Sequence, residues 1–216
     1  MTMEHAVTTM PTARQPGCPF DPPAELIDAR EQSPISRLPF ADGHQGWLIT
    51  GFDLVRSVLA DSRFSSRKEL MGHHPTIDYG GFEVPPAPPG EFLFMDDPQH
   101  SRYRKPLVGV ELGGQTIKAG TTVILSYATA NRDPERFTEP HVLDLRRQDG
   151  GHLGFGHGIH QCLGQQLARV EMRVAFTALV NRFPTLRLAV PAEEVALRPE
   201  TADIYGAKSL PVTWDA

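Results

Sequence analysis

The sequence predicts an α+β fold that is mainly α-helical, with small β-hairpins at its edge. Residues 162–183 have the longest helical pattern of apolar residues in the chain, and for this reason the fold is expected to be mainly α-helical. Short apolar runs beside turn-prone pairs such as Asp42-Gly43 predict the hairpins. The 20 prolines and 19 glycines interrupt the remaining sequence often enough to keep most elements short.

The composition is that of a globular protein. The 216 residues include 21 Lys and Arg against 26 Asp and Glu, a formal charge of −5, which argues against a nucleic-acid partner. The longest apolar-leaning run, residues 121–130, is interrupted by polar side chains and is too short to span a bilayer. Because the start of the sequence lacks a secretory signal pattern, we expect no membrane anchor and a cytoplasmic location.

The first sixty residues predict an irregular arm followed by four short elements. Prolines make residues 1–22 irregular, and Pro23 fits the first turn of a helix, where its missing N–H costs little. The Asp42-Gly43 pair predicts a turn between two strands. After these strands, apolar residues are spaced as one face of a helix and predict a second helix. These elements are helix 24–32, strands 37–40 and 46–50, and helix 52–60.

Residues 67–92 predict a long loop, because prolines and glycines recur throughout them. Loops of this length are uncommon in compact domains and often line binding sites. An acidic N-cap and a first-turn proline, Asp97-Pro98, then predict a helix that runs to about Lys105 and is limited by Pro106.

The second half predicts one hairpin and one long helix. Residues 112–117 and 121–125 are expected to pair around a turn at Lys118-Ala119-Gly120. After an irregular stretch, the helical pattern 162–183 is ended by a proline. The tail over residues 186–214 predicts short strands and turns.

Cys162 stands where a reactive or metal-bound sulfur is expected. Only Cys18 accompanies it in the sequence, which excludes a disulfide scaffold and leaves a buried structural residue, a nucleophile or a metal ligand. Glycines cluster before Cys162 and permit close approaches of the backbone. At the start of the predicted helix, backbone N–H groups and the helix dipole favour a thiolate. The pattern therefore indicates a protected, ligated sulfur anion.

A zinc site is the alternative reading of the same segment. His152, His157 and His160 supply, with Cys162, the donor types that zinc prefers. Structural zinc sites usually take pairs of ligands from two separate segments, and the sequence has no second cluster, since Cys18 lies in the proline-rich arm. The ligand spacing therefore disfavours zinc.

The segment Phe155-x-x-Gly158-x-x-x-Cys162-x-Gly164 resembles the haem-thiolate signature of the cytochrome P450 family. Several other segments resemble the soluble, actinobacterial-like members of that family. They are Cys18-Pro19-Phe20-Asp21-Pro22-Pro23, Asp61-Ser62-Arg63-Phe64-Ser65, Asp97-Pro98-Gln99-His100-Ser101-Arg102-Tyr103-Arg104, Ala130-Asn131-Arg132-Asp133-Pro134 and Ser209-Leu210-Pro211-Val212-Thr213-Trp214. The resemblance implies a cytochrome P450-like fold.

The resemblance implies a site for haem b, iron protoporphyrin IX. Cys162 would be the proximal thiolate ligand of the iron, where an anionic sulfur favours cleavage of a bound O–O bond. Phe155 would shield the sulfur side of the ring. Gly158 and Gly164 would let the backbone approach it closely, and Gly156 belongs to the same haem-binding loop.

The resemblance also assigns partners to the haem propionates. His100 and Arg104 are four apart on a predicted helix and therefore on one face of it. In the family, this pair binds the propionates, and His160 does so from the cysteine loop. Propionates are carboxylates, so cationic or N–H donors suit them. Taken without the resemblance, His100 and Arg104 would more often be a solvated helix face.

The chain departs from the family in length, since it is about half as long as usual members. The resemblance is continuous to about Val108 and resumes at about Val110, where members carry a large helical block. The block contains the helix with the acid–alcohol pair and the Glu-x-x-Arg helix, so the catalytic residues are not identified. We expect an N-terminal segment, 1–109, and a C-terminal haem-thiolate segment, 110–216, that together form one incomplete domain.

The resemblance implies a mono-oxygenase that inserts one atom of O₂ into a small apolar organic substrate. A ferredoxin and a ferredoxin reductase would supply the electrons. Arg132, Arg169 and Arg173 are candidates to receive an acidic redox partner, although a solvated charged face explains them equally well. The alternatives are a non-catalytic haem-binding remnant and a decayed gene product that does not fold stably.

Overall fold

A computed structural model describes residues 7–15, 21–65, 73–78, 80, 103–106, 108–162, 164–199 and 206–215, and residues 103–106 by their backbone alone. The chain divides into two compact units, Met1–Cys162 and Leu163–Ala216. Both helices and strands are present, which confirms the α+β prediction. Within the described ranges, no helix is both long and apolar enough to cross a membrane.

The first unit is built on a five-stranded sheet in the order β1-β2-β7-β4-β3. Strand β2 pairs antiparallel with β1 and parallel with β7, and β4 pairs antiparallel with both β7 and β3. The strands are β1 (Ile35–Pro39), β2 (Gln45–Ile49), β3 (Phe64–Ser65), β4 (Tyr103–Pro106) and β7 (Val123–Leu125); a separate hairpin joins β5 (Val110–Leu112) to β6 (Gln115–Ile117).

Among the described residues, three α-helices accompany the sheet: α1 (Ala24–Gln32), α2 (Phe52–Ala60) and α3 (Tyr127–Ala130). The bounds of α1 and α2 are those predicted from the sequence, and the predicted β1–β2 hairpin is also confirmed. In the β1–β2 turn, Gly43 has a φ of 82°, a left-handed conformation that glycine adopts without a steric penalty.

Apolar side chains bury both faces of the sheet. Successive residues of a strand point to opposite faces, so Val123 and Leu125 join the larger core and Ile124 joins the smaller one. The larger core includes Val55, Val58 and Leu59 of α2, together with Leu153, which begins the cysteine loop. Helix α2 and the start of that loop are therefore parts of one packed core.

The predicted hairpin between residues 112–117 and 121–125 is wrong. Gly113 and Gly114 have φ values of 54° and 74°, and they close a shorter hairpin, β5–β6, over residues 110–117. The second segment supplies β7, whose three apolar residues are all buried. A strand that is apolar on both faces suits the interior of a sheet, so β7 pairs with β2 and β4 instead.

The predicted helix from Asp97-Pro98 to Lys105 is wrong at its C-terminal end, because Tyr103–Pro106 is strand β4. The earlier part of that prediction lies outside the described residues. Strand β4 fills the space between β7 and β3, and pairing on both sides outweighs the local helix signal of the sequence.

The described part of the second unit contains a long helix and a small hairpin. Helix α4 spans Gln165–Arg182, as the sequence predicts to within three residues at its start. Strands β8 (Arg187–Leu188) and β9 (Val212–Thr213) pair antiparallel, in agreement with the predicted short strands of the tail. Phe183 and Trp214 bring their ring centroids to 4.5 Å beside this hairpin.

Candidate functional site

The candidate site is the cysteine loop, residues 153–162, at the end of the first unit. Backbone hydrogen bonds join residues of the loop at four points, one of them from His160 N–H to His157 O at 3.2 Å. Gly156 N–H donates to Leu153 O at 2.9 Å, Gln161 N–H donates to Gly158 O at 3.0 Å, and Cys162 N–H donates to Phe155 O at 2.9 Å. The last bond brings the backbones of Phe155 and Cys162 together, although six residues separate them in sequence.

Two glycines give the loop its path. Gly156 has a φ of 71° and Gly158 a φ of 62°, values that side chains other than glycine rarely adopt. At Gly158 there is also no room for a side chain, since an added Cβ would lie 2.8 Å from the Cα of Ala60. The loop therefore rests directly on the C-terminal end of α2.

The two most chemically significant side chains of the loop are buried. Cys162 is a free cysteine with 8% of its surface exposed, and His160 has 1% exposed. His160 ends a 3-10 turn, Gly158–His160, that places it two residues before the thiol. Phe155 is partly buried, and its ring centroid lies 5.9 Å from that of His152.

Asn131 anchors the start of the loop. Its Oδ1 accepts a hydrogen bond from the backbone N–H of Leu153 at 2.7 Å, and Leu153 is itself buried in the larger core. The bond links residues that are 22 positions apart, directly after α3 and at the first residue of the loop. A side chain outside the loop therefore fixes the point at which the loop leaves the core.

We expect Asn131→Ala to lower the free energy of unfolding by about 1–3 kcal/mol, because it leaves the N–H of Leu153 without its acceptor. Asn131→Asp keeps an oxygen at the same position and is the matched control. Urea unfolding of the two variants checks this, and equal losses in both would show that the hydrogen bond to Leu153 is not the cause.

His157 ties the loop to α2 by a side-chain contact. Arg56 Nε donates a hydrogen bond to His157 Nε2 at 3.1 Å, so the imidazole accepts in its neutral form. Burial, and then the positive charge of Arg56, hold the pKa of His157 below the ordinary histidine value of 6.5. Protonation of His157 is thus opposed in the folded chain.

This lowered pKa makes the stability of the fold depend on pH in a definite direction. As the pH falls below about 6.5, the unfolded chain takes up a proton at His157 before the folded chain does. The free energy of unfolding should therefore decrease below that pH, and this group should contribute no pH dependence above it. Urea unfolding from pH 7.5 to 5 tests this, since His157→Gln should show a shallower decrease than the parent, and parallel curves would contradict it.

The structure gathers most of the predicted site residues into one segment, which does not include Arg104. Arg104 is on strand β4, not on a helix, so the argument that it shares a helix face with His100 does not hold. His100 and Cys18 lie outside the described residues. The residues on or next to the loop are Phe155, Gly156, Gly158, His160, Cys162 and Gly164.

Cys162 lies before the long helix and not in its first turn. Helix α4 begins at Gln165, with Gly164 as its N-cap. The sequence pattern places the start of this helix at Cys162, three residues earlier. The position of Cys162 is set by its bond to Phe155 and by the glycine turns.

Three residues that position the loop were not identified as such from the sequence: Ala60, Arg56 and Asn131. Asn131 belongs to the segment Ala130-Asn131-Arg132-Asp133-Pro134, which was noted for its family resemblance without a role. Ala60 and Arg56 are on α2, about a hundred residues from the loop, and no local pattern links such distant positions.

The residues of the loop fit the chemistry of a haem site. A porphyrin supplies four nitrogen ligands to its iron, so the protein needs to provide only one proximal donor, and a soft thiolate suits iron in this role. Cys162 is such a donor, and it is held at the end of a loop closed by backbone bonds. Within the described residues, no three His, Cys, Asp or Glu side chains lie close enough together to hold a metal ion by themselves.

Comparison with protein families gives a match over more than half of the chain. Residues 91–201 match the family described as Cytochrome P450, and the matched range includes the whole cysteine loop and α4.

Two relatives from Streptomyces illustrate how the chain compares with known proteins. Cytochrome P450 105C1 of Streptomyces sp is 28% identical over an alignment of 366 positions that covers 90% of this chain and 96% of the relative. Cytochrome P450 105A3 of Streptomyces carbophilus is 53% identical over 105 residues, which are 49% of this chain and 25% of the relative. Since the chain has 216 residues, a large part of the first relative aligns with no residue of it.

Two solved structures share the fold of this chain. The crystal structure of CYP105N1 from Streptomyces coelicolor A3(2) superposes with a TM-score of 0.79 at 19% identity, over 96% of this chain and 99% of that one. The structure of CYP105P1 in complex with filipin I gives a TM-score of 0.77 at 21% identity, with similar coverage. The chain belongs to the cytochrome P450 family, a family of oxidoreductases whose cofactor is haem b.

Proposed function

We propose that Cys162 is the proximal thiolate ligand of haem b in a mono-oxygenase that inserts one atom of O₂ into a small apolar organic substrate. The observation that carries the proposal is the cysteine loop, in which a buried free cysteine follows two glycine turns and its backbone is bonded to that of Phe155. Bound haem would supply the activation of O₂ and the transfer of its oxygen atom.

Within this proposal, the loop holds the sulfur and restricts access to it. The Cys162 N–H is already bonded to Phe155 O, so the backbone that carries the thiol is held in place. The backbones of Phe155 and Cys162 meet across the closed loop, and the partly buried ring of Phe155 would shield the sulfur side of the haem. Burial of Cys162 itself has the same effect, because a solvent-exposed thiolate is readily oxidised.

The proposal assigns the propionates of haem to His160, His100 and Arg104. His160 is supported by its place on the cysteine loop, where it is buried two residues before the ligand. An N–H donor there would form a charge-assisted hydrogen bond with a carboxylate. His100 and Arg104 rest on the family motif alone, and Arg104 would act from strand β4.

The electrons would come from a ferredoxin and its reductase, and the proposal places the chain in the cytoplasm with these carriers. Of the basic residues considered for docking, Arg132 is engaged by Asp21, with its Nε 2.8 Å from the Oδ1 of Asp21. Arg169 and Arg173 are exposed on α4 and are the better candidates to meet an acidic carrier.

Haem quantitation followed by turnover tests the proposal. The purified chain, loaded with haem, should bind about one haem per chain and, with a ferredoxin, its reductase and NADPH, should place ¹⁸O from ¹⁸O₂ in a small apolar probe such as an alkylbenzene. Haem binding with no ¹⁸O product over a panel of such probes would indicate a haem-binding chain without mono-oxygenase activity.

A further inference from the structure

The first turn of α2 is capped by a side chain from a distant part of the sequence. The N-cap residue, Gly51, has no side chain that could accept a hydrogen bond from the first N–H groups of the helix. The backbone N–H of Phe52 instead donates to Asp133 Oδ2 at 2.9 Å, across 81 positions of sequence. Asp133 has 7% of its surface exposed. A buried carboxylate therefore holds the positive end of the α2 dipole.

The turn that carries Asp133 is itself closed by hydrogen bonds. Asp133 Oδ1 accepts from the N–H of Glu135 at 3.1 Å. Asp133 O accepts from the N–H groups of Arg136 at 3.0 Å and Phe137 at 2.8 Å. The ring of Phe137 meets that of Phe52 edge to face, with the centroids 5.5 Å apart. Both carboxylate oxygens are engaged, so the position of the carboxylate relative to the start of α2 is fixed.

The opposite end of α2 supports the cysteine loop. Gly158 lies against Ala60, the last residue of α2, with no room between them for a side chain. One turn earlier, Arg56 Nε donates to His157 Nε2 at 3.1 Å. The nine residues of α2 span about 12 Å and are joined by the hydrogen bonds of the helix, so they move as a unit. A displacement of the first turn of α2 is therefore passed on to the loop.

The cysteine loop is also tied directly to the segment that contains Asp133. Asn131 Oδ1 accepts from the N–H of Leu153, the first residue of the loop, at 2.7 Å. Arg136 donates to the carbonyl oxygen of Gly150, three residues before the loop. Residues 131–136 thus support both α2 and the loop, and Asp133 is the residue of this segment that bonds to the start of the helix.

We propose that Asp133 is a positioning residue that sets the place of the Cys162 thiol through α2. Loss of its carboxylate leaves the buried N–H of Phe52 without its acceptor and frees the first turn of the helix. The other end of α2 then shifts beneath Gly158, and the loop that ends at Cys162 opens locally. The inference rests on the proposed function only in taking Cys162 as the group to be held.

A carboxylate that merely stabilised the fold would behave differently. Its removal would lower the free energy of unfolding, and the Cys162 thiol would become accessible only when the whole chain unfolds. Exposure by global unfolding rises steeply with urea, whereas exposure by local opening changes little at low urea. The urea dependence of thiol accessibility therefore separates positioning from stabilisation.

Alkylation by iodoacetamide measures the accessibility of the thiol. The full-length chain is used in a Cys18→Ala background, which leaves Cys162 as its one cysteine. We expect Asp133→Ala to be alkylated at least tenfold faster than the parent without urea, at a rate that is nearly constant up to about 1 M urea. Asp133→Asn keeps an oxygen acceptor for the N–H of Phe52 and should stay within threefold of the parent.

Leu26→Ala is the matched control, because Leu26 is buried in the smaller core and belongs to neither α2 nor the loop. The cavity it creates lowers the stability of the chain, so alkylation of Cys162 should accelerate only with the urea dependence of global unfolding. If Asp133→Ala does not fold, Asp133→Glu replaces it. That variant retains the charge but displaces the carboxylate by one methylene, and it should be alkylated at least fivefold faster than the parent.

Three results would overturn the proposal. The first is an alkylation rate of Asp133→Ala, or of Asp133→Glu where it is used instead, equal to that of the parent. The second is a rate that rises with urea as steeply as in Leu26→Ala, which would show that Asp133 only stabilises the fold. The third is an Asp133→Asn rate as high as that of the variant it is compared with. Since alkylation needs no haem, a failure here leaves the proposed function standing, and a failure to bind haem leaves this test intact.

Discussion

Replacing Cys162 by alanine is expected to abolish the red-shifted Soret band that the reduced, carbon monoxide-bound protein should show. That shift arises from an anionic sulfur opposite the bound gas, and alanine provides no donor. Haem occupancy should fall at least tenfold as well, because alanine removes the proximal ligand of the iron. The difference spectrum and haem quantitation on matched protein samples measure both effects.

Cys18→Ala is the matched control, since these are the two cysteines of the sequence. It should leave the spectrum and the haem content unchanged. If the red-shifted band survives in Cys162→Ala, or disappears in Cys18→Ala, the ligand has been assigned to the wrong sulfur. Cys162→Ser separates the roles of size and charge, because it nearly preserves volume while it removes the thiolate.

Gly158→Ala is expected to be the most destabilising single-methyl change in the cysteine loop. The φ of 62° would cost an alanine about 1–2 kcal/mol. Its Cβ would also lie 2.8 Å from the Cα of Ala60 and 3.2 Å from the carbonyl oxygen of Leu59, both backbone atoms that cannot turn away. With the cost of overpacking added, we expect a loss of about 2–4 kcal/mol in the free energy of unfolding.

Gly114→Ala distinguishes backbone strain from overpacking. Gly114 also has a positive φ, 74°, but a Cβ there would meet nothing within 4 Å among the described residues. Its replacement should cost about 1–2 kcal/mol, from strain alone. Denaturant unfolding of both variants measures the difference, and a Gly158→Ala loss no greater than that of Gly114→Ala would mean that the loop does not rest on α2 as the structure shows.

Elements whose signals are local were predictable from the sequence. Helices α1 and α2 were located to the residue, because Pro23 marks the start of the first and the apolar face of the second is regular. Strand β7 was recognised as a strand, but its partner was not. A strand that is buried on both faces carries no alternation to show which strands it pairs with.

The features of the candidate site also divide into those that could be predicted from the sequence and those that could not. The residue pattern between Phe155 and Gly164 is contiguous, so the loop and its thiol were identified from the sequence alone. The contacts that hold the loop, from Asn131 and Ala60, join residues distant in sequence and became visible only in the fold. Arg104 was predicted wrongly. The local sequence around it has a strong helix signal, but the residue lies on a strand because pairing within the sheet outweighs that signal.

X-ray absorption at the iron edge of the haem-loaded chain tests the account most directly. The account predicts four nitrogen neighbours and one sulfur neighbour in the first shell of the iron, and loss of that sulfur in Cys162→Ala while Cys18→Ala retains it. A first shell of nitrogen and oxygen alone in the parent chain would contradict it.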